Sequence, residues 1–430
     1  MTNSKFRPVF VVDGGRTPFI KVKGRRGPFT ASDLAVACAK PILLRQPFSP
    51  EEFDEVIIGC VNTGVDEVNI ARVISLRIGC GKSVPAFTVA RNCASGMQAL
   101  DSAALNIATG RSDLVLAGGT EAMSHAHVLV DPKMQDWLSS MSGKADVGKK
   151  LQTLMKFRPG FLKPVIGLIH GLTDPIVGLS MGQTAEELAY RFNISRERMD
   201  EFSMESHQRL ADAIDNGHFT KLRPMFDEKG KVYESDDGLR RETTMEALAK
   251  LKPFFDRVVG SVTAGNSAQI TDGAALLILA SEKAVKKHNL EVLGRIVDSQ
   301  WAGLDPSVMG LGPVYAMAPI MKRHKLKADD IDYWEINEAF AAQVLGCLAA
   351  WGDKNFFRKE LKTTWFPGEI DRSKLNIDGG AISMGHPVGA TGARLILHSL
   401  DILNQKKAKR AMASLCIGGG QGGAMMVERD

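Results

Sequence analysis

The last third of this chain repeats the order of its first, and that repeat limits the folds open to it. "SPEEFDEVIIGC" (Ser49–Cys60) is an acidic stretch running into a short apolar strand, and it returns as "KADDIDYWEIN" (Lys327–Asn337). "FTVARNCASGMQALDSAALNIATG" (Phe87–Gly110) reads as strand, turn and long apolar helix. "LNIDGGAISMGHPVGATGARLILHSLDIL" (Leu375–Leu403) reads the same way. "SDLVLAGGTEAMS" (Ser112–Ser124) returns as "RAMASLCIGGGQGGAMMVE" (Arg410–Glu428). Short apolar strands alternating with periodic helices indicate an α/β chain with a largely parallel sheet. The period is far too long for a solenoid. The repeat is therefore an internal duplication of a large strand–helix unit. Near the start, "RPVFVVDGG" reads as a buried strand and its turn. "SDLAVACAKPILL" follows as a helix with Ser32 as N-cap.

Between the repeats the composition changes. Residues 124–260 carry most of the amphipathic and charged helical patterns, such as "TAEELAYRF" and "SRERMDEFSMESHQRLADAIDNG". The resulting division is 1–123 with 261–285 as the first half, 124–260 as an inserted surface-facing domain, and 286–430 as the second half. Within the insert, 143–172 is both basic and apolar. Such a stretch suits a membrane surface or a partner protein, or else a lid packed on its own chain.

Charge and cysteine usage exclude several classes. The net charge of +5 comes without a dense basic block interleaved with aromatics, so an anionic small ligand fits better than nucleic acid. The six cysteines form no CxxC pair and the nine histidines are too dispersed to complete a metal set. A chain of 430 residues does not need disulfide staples, so reduced thiols in a cytoplasmic setting are expected. No signal-peptide pattern and no membrane-spanning apolar run is read.

Four short stretches carry residues able to do chemistry. Cys93, in "RNCASG", falls where strand gives way to helix. Unpaired amides and a partial positive charge at a helix N-terminus favour the nucleophilic thiolate. A cysteine is also commonly just a buried apolar residue. His386, in "SMGHPVGATGAR", is held between glycine and proline on a tight turn, either as a base or as a structural histidine. "EINEAFA" places Asn337 and Glu338 at a strand end, where they orient a water or a histidine, or where Asn337 caps a helix. Cys416 precedes a run with five glycines, whose backbone amides are free to point together as an oxyanion hole requires. Beside such a loop a cysteine shuttles protons if its pKa is tuned down.

Taken together, "NCASG", "NEAFA", "GHPVGATGAR" and "CIGGGQG", in this order and with "VTAGNSAQITDGAA" between, resemble the thiolase family over essentially the whole chain. The resemblance implies two βαβαβαββ halves in a five-layered α/β/α/β/α core with an inserted loop domain. It implies cleavage of a 3-ketoacyl-CoA by CoA through an acyl-cysteine, in fatty-acid β-oxidation, with CoA as substrate and no permanently bound cofactor or metal. Cys93 is then the acylated nucleophile, His386 its activator and Cys416 the second acid/base. Asn337 holds a water that completes one oxyanion hole, and the amides of Cys93 and Gly418 form the other. Met181, Phe255 and Phe340 line the pantetheine channel by motif position, and Arg240 falls near the adenosine end, where a solvated charge is the alternative. The family commonly has a serine, which contacts CoA, where this chain has Ala268. Ser267 stands one place earlier, and Ser180 replaces a frequent histidine.

The 143–172 segment and the extra "WGDKNFFRKELKTTWFPGEIDRSKLN" resemble the β-subunit type found in trifunctional complexes. That type docks with a hydratase/dehydrogenase α-subunit and membranes. "NEAFA" is the ordinary form, where some chains of that type have histidine instead of asparagine. The family also implies a homodimer or tetramer. Two other readings are an acetoacetyl-CoA thiolase working in the condensing direction and a non-catalytic lipid-binding or scaffold protein. A related decarboxylating synthase would be expected to carry histidine where Cys416 stands.

Overall fold

The computed structural model describes residues 6–142 and 147–429. Residues 143–146 of the predicted surface segment lie outside the described residues. The first half contains β1 (Val9–Arg16), α1 (Ala31–Leu43), β2 (Glu55–Gly59), α2 (Ile70–Arg77), β3 (Ala86–Val89), α3 (Ser95–Ala108), β4 (Leu114–Ala122) and, after the insert, β5 (Thr271–Ala280). The second contains β6 (Gly294–Gly303), α4 (Gly312–Arg323), β7 (Tyr333–Ile336), α5 (Ala341–Gly352), α6 (Val388–Lys406), β8 (Arg410–Ile417) and β9 (Gln421–Glu428).

These strands run β7-β8-β9-β6-β1-β5-β4-β2-β3 across one sheet. The sheet is mixed, not largely parallel. β2 pairs in parallel with β3 and β4, and β7 with β8, but every pairing from β4 through β5, β1, β6 and β9 to β8 is antiparallel. The reason lies in the connections. β8 and β9 are joined by a hairpin and β5 returns from the insert, so neither needs a crossover helix. The strand expected at Leu375 shrinks to a single parallel bridge with Trp334.

Strand alternation splits the core into layers. On β8 and β9, Met412, Cys416, Ala424 and Met426 face α4 and α5. Their neighbours Ala413, Leu415, Met425 and Val427 face α3 and α6. In the first half Ile58, Leu116, Ala274 and Leu276 face α1 and α2, while Ile57, Val115, Ala275 and Leu277 face α3 and α6. The period of two therefore gives helix, sheet, helix, sheet, helix, with α3 and α6 in the middle. α1 is capped by Thr30, not Ser32. Thr30 and Asp33 form a reciprocal capping box, while Ser32 is buried inside the helix.

Among the described residues, the chain between β4 and β5 carries the helices Met181–Arg191 and Arg196–Asp215, three shorter helices and two small two-stranded antiparallel sheets, besides Pro132–Ser142. The extra segment before the histidine turn is anchored in the core. Trp351 and Phe357 stack edge-on, Phe357 contacts Trp365 and Phe366, and Trp351 meets Trp334. No helix of the described residues is long and apolar enough to cross a membrane.

Candidate active site

Helices α3 and α6 cross at their N-termini with almost no side chain between them. A Cβ on Gly119 would overlap the Gly389 carbonyl, and one on Gly96 would meet that oxygen at 2.7 Å. Glycine at these positions lets the turn before α3, which carries Cys93, approach the turn before α6, which carries His386. The Cys93 turn is strained, with Asn92 at φ +43°. Two contacts tie it to the glycine-rich loop of the other half. Asn92 Nδ2 donates to the Gly418 carbonyl at 2.8 Å, and Arg91 donates to Gln421 Oε1 at 3.0 Å while lying over Trp301.

Cys93, His386 and Cys416 line one cavity of about 520 Å³. A second cavity, of about 440 Å³, adjoins it at Cys93 and is lined by Gly418, Gly419 and Glu121 among others. Met181 stands on the wall of both.

The resting site is neutral. Burial pushes the Cys93 thiol up to about 11, against the opposing effect of the backbone amides of Gly418 and of Cys93 itself. The expected thiolate is thus outweighed by desolvation, although both amides face the sulfur. Burial, then the nearby Cys93 and Cys347 sulfurs, holds Cys416 well above the usual thiol value. Cys416 is therefore raised, not tuned down, and it rests as a proton donor. Burial first and the Arg394 charge second lower His386 to about 3, so its imidazole is neutral.

Thr391 fixes which nitrogen carries the proton. Its hydroxyl donates to the Pro387 carbonyl at 3.0 Å and so accepts from His386 Nδ1, 2.7 Å away. Nε2 is left unprotonated with its lone pair outward, the arrangement a general base requires. Asn337 Nδ2 is 3.5 Å from that Nε2, and its Oδ1 is buried without a partner. Asn337 caps no helix, because α5 begins at Ala341 with Phe340 in the cap position and no side-chain cap. Glu338 does not touch the histidine. Its carboxylate accepts from Ser206, Asn376 and the Ile382 amide, bracing the loop that leads to His386.

The Cys93 thiol, an imidazole with its tautomer fixed and the buried Cys416 thiol meet at one cavity, and the Gly418 loop lines the cavity that adjoins it at Cys93. Family models describing the thiolase N-terminal and C-terminal domains match residues 9–283 and 290–429. The chain belongs to the thiolase family. As a thiolase it is an acyltransferase, and its relatives are matched end to end. The human mitochondrial 3-ketoacyl-CoA thiolase is 39% identical over 427 residues, 98% of each chain. An acetyl-CoA acetyltransferase of Allochromatium vinosum is 36% identical, covering 98% of this chain and 99% of that one. The crystal structure of the human mitochondrial enzyme in complex with CoA superposes with a TM-score of 0.84 at 38% identity, over 99% of this chain and 98% of that one.

In this thiolase four of the predicted CoA contacts, Met181, Phe255, Ser267 and Phe340, lie on the wall of the larger cavity with Ser180 and Ala268. Phe255 and Phe340 meet edge-on at 5.8 Å. Arg240 lines neither cavity. Its backbone N–H donates to His207 Nδ1, and its charge is close enough to add to burial in lowering the Lys21 pKa. Sequence reasoning missed Asn92, Thr391 and Glu121. Glu121 accepts the amides of Val61, Asn62 and Gly389, and burial raises it to about 7. The signal for Asn92 and Thr391 was in the motifs, one residue before Cys93 and five after His386.

Proposed function

We propose that this thiolase cleaves a 3-ketoacyl-CoA with CoA, giving acetyl-CoA and a shortened acyl-CoA. Cys93 Sγ attacks the keto carbon while its proton passes to His386 Nε2. The oxygen of that carbon takes the negative charge between the amides of Cys93 and Gly418. Removing one such donor costs about 3–4 kcal/mol in the barrier. The bond to the alpha carbon then breaks, and the released acetyl-CoA enolate takes a proton from Cys416, with His386 and an Asn337-held water on its oxygen. A second CoA thiol attacks the acyl-cysteine, returns the proton and completes a ping-pong cycle. The observation that carries this reading is the single cavity shared by Cys93, His386 and Cys416. The test is thiolysis of acetoacetyl-CoA and longer 3-ketoacyl-CoAs by wild type and Cys93→Ala. Abolished turnover in the variant is expected, and undiminished turnover contradicts the mechanism. A kcat/KM that rises with chain length supports the degradative role. A strong preference for acetoacetyl-CoA favours the condensing one, as in relatives named acetyl-CoA acetyltransferase.

Phe255 and Phe340 enclose the pantetheine arm, and Arg240 with Lys21 meets the phosphates. Residues 124–260 act as one inserted unit. We place the protein in the cytoplasm, where six free cysteines stay reduced. The free edge strand β3 offers pairing to a second copy. Gly167, Leu168, Ile169, Gly171 and Leu172 wall the cavities, whereas Leu151, Leu154, Met155 and Leu162 are exposed among Lys150, Lys156, Arg158 and Lys163. That face is proposed to rest on an anionic membrane or on a hydratase/dehydrogenase partner. Co-sedimentation with phosphatidylglycerol vesicles tests the membrane arm. Binding that survives Leu151→Glu with Met155→Glu argues against it.

A further inference from the structure

The larger cavity has an answer to the serine this chain lacks. Ala268 offers no polar group. Ser267 Oγ is turned away and donates to the Thr263 carbonyl at 2.7 Å. Ser180 Oγ donates to Gln183 Oε1. Gln269, next along the chain, lines the same cavity. Its Nε2 donates to two carbonyl oxygens, Gly238 at 2.8 Å and Ile382 at 3.2 Å. Two carbonyls fix the amide's orientation, because the opposite one would set an oxygen against both. Oε1 is therefore the remaining atom, and it is buried without a hydrogen-bond partner.

We infer that Gln269 Oε1 accepts an amide N–H of the pantetheine arm of the CoA thioester. The inference rests on the thiolase reading of the site and goes beyond it by assigning a binding contact. The chemistry selects the ligand. A buried acceptor without a donor is costly, and an arm with two secondary amides supplies donors inside an apolar channel. The same residue is tied to the chemistry, since its backbone carbonyl accepts from the His386 amide at 3.1 Å. Its side chain also grips Ile382, in the loop braced by Glu338. Gln269 is a binding and positioning residue, not a catalytic one.

The test pairs protein and substrate changes. Acetoacetyl thioesters of pantetheine, of N-acetylcysteamine and of ethanethiol carry two, one and no arm amides. Gln269→Met is expected to lower kcat/KM about three- to tenfold for an amide-bearing thioester relative to the ethanethiol one. The arm length at which the loss sets in identifies the amide. Methylating that amide nitrogen removes the donor without altering the protein. It should cost wild type more than Gln269→Met, which keeps the comparison meaningful if the variant is less stable. An equal effect of Gln269→Met on all three thioesters, or none, overturns the inference while leaving the thiolase reading intact. Wild type inactive on all three and on acetoacetyl-CoA would instead defeat the thiolase reading.

Discussion

Asn92 Nδ2 holds the Gly418 carbonyl at 2.8 Å, joining the residue before the nucleophile to the glycine loop of the opposite half. The bond anchors the Gly418 backbone, and the N–H of the same residue, on the preceding peptide, faces the Cys93 sulfur. Asn92→Gly keeps the left-handed backbone and removes only the side-chain contact. A fall in kcat of about fivefold or more, with KM for CoA nearly unchanged, is expected in steady-state thiolysis. A KM effect alone would place Asn92 in substrate binding instead.

Thr391 acts through the tautomer of His386. Thr391→Val removes the acceptor for Nδ1–H and Thr391→Ser restores it. The valine variant should lose about tenfold or more in kcat and the serine variant should stay near wild type. Nitrogen-15 NMR of His386 reads the tautomer directly. An unchanged Nδ1–H signal in Thr391→Val would show that some other group sets it.

The duplication, the insert and the four chemical stretches were legible because each leaves a local trace: alternation, a charge shift, or a cysteine or histidine beside glycine. The strand directions were not. Antiparallel entry of β5 depends on where the insert returns, which no short window of "VTAGNSAQITDGAA" records. The protonation states were misread for a related reason. A helix N-terminus beside Cys93 is visible in sequence, but the burial that outweighs it is a property of the packed site. In sequence Asn337 reads equally as a helix cap or as a residue that holds a water, and only the cap is excluded, by α5 starting at Ala341.

The neutral resting site predicts a pH signature. Because burial holds Cys93 near 11, the thiol form predominates below that pH and the small thiolate fraction keeps growing as pH rises towards it. Alkylation of Cys93 in the free enzyme by iodoacetamide, followed by mass spectrometry, should keep rising through about pH 9–10. A plateau near neutrality would mean a standing thiolate–imidazolium pair.

Backbone contact between α3, β4 and α6 is a stability claim as well. Gly119→Ala forces a methyl into the Gly389 carbonyl, and a loss of about 1–3 kcal/mol is expected. Thermal unfolding should show a lower Tm than wild type together with reduced activity, since the same contact sets the Cys93–His386 approach. A variant with normal Tm and normal turnover would show that the helices have slack there.

Trapping the acyl-enzyme most directly tests whether one carbon meets both sulfurs. Cys416→Ala mixed with acetyl-CoA, whose transfer to Cys93 forms no enolate and needs no proton from Cys416, should on immediate digestion carry an acetyl group on the Cys93 peptide, while turning over acetoacetyl-CoA far more slowly than wild type. Cys93→Ala should carry none on any cysteine. Acylation of Cys416 in Cys93→Ala, or steady turnover by Cys416→Ala at the wild-type rate, would contradict the division of labour between the two cysteines.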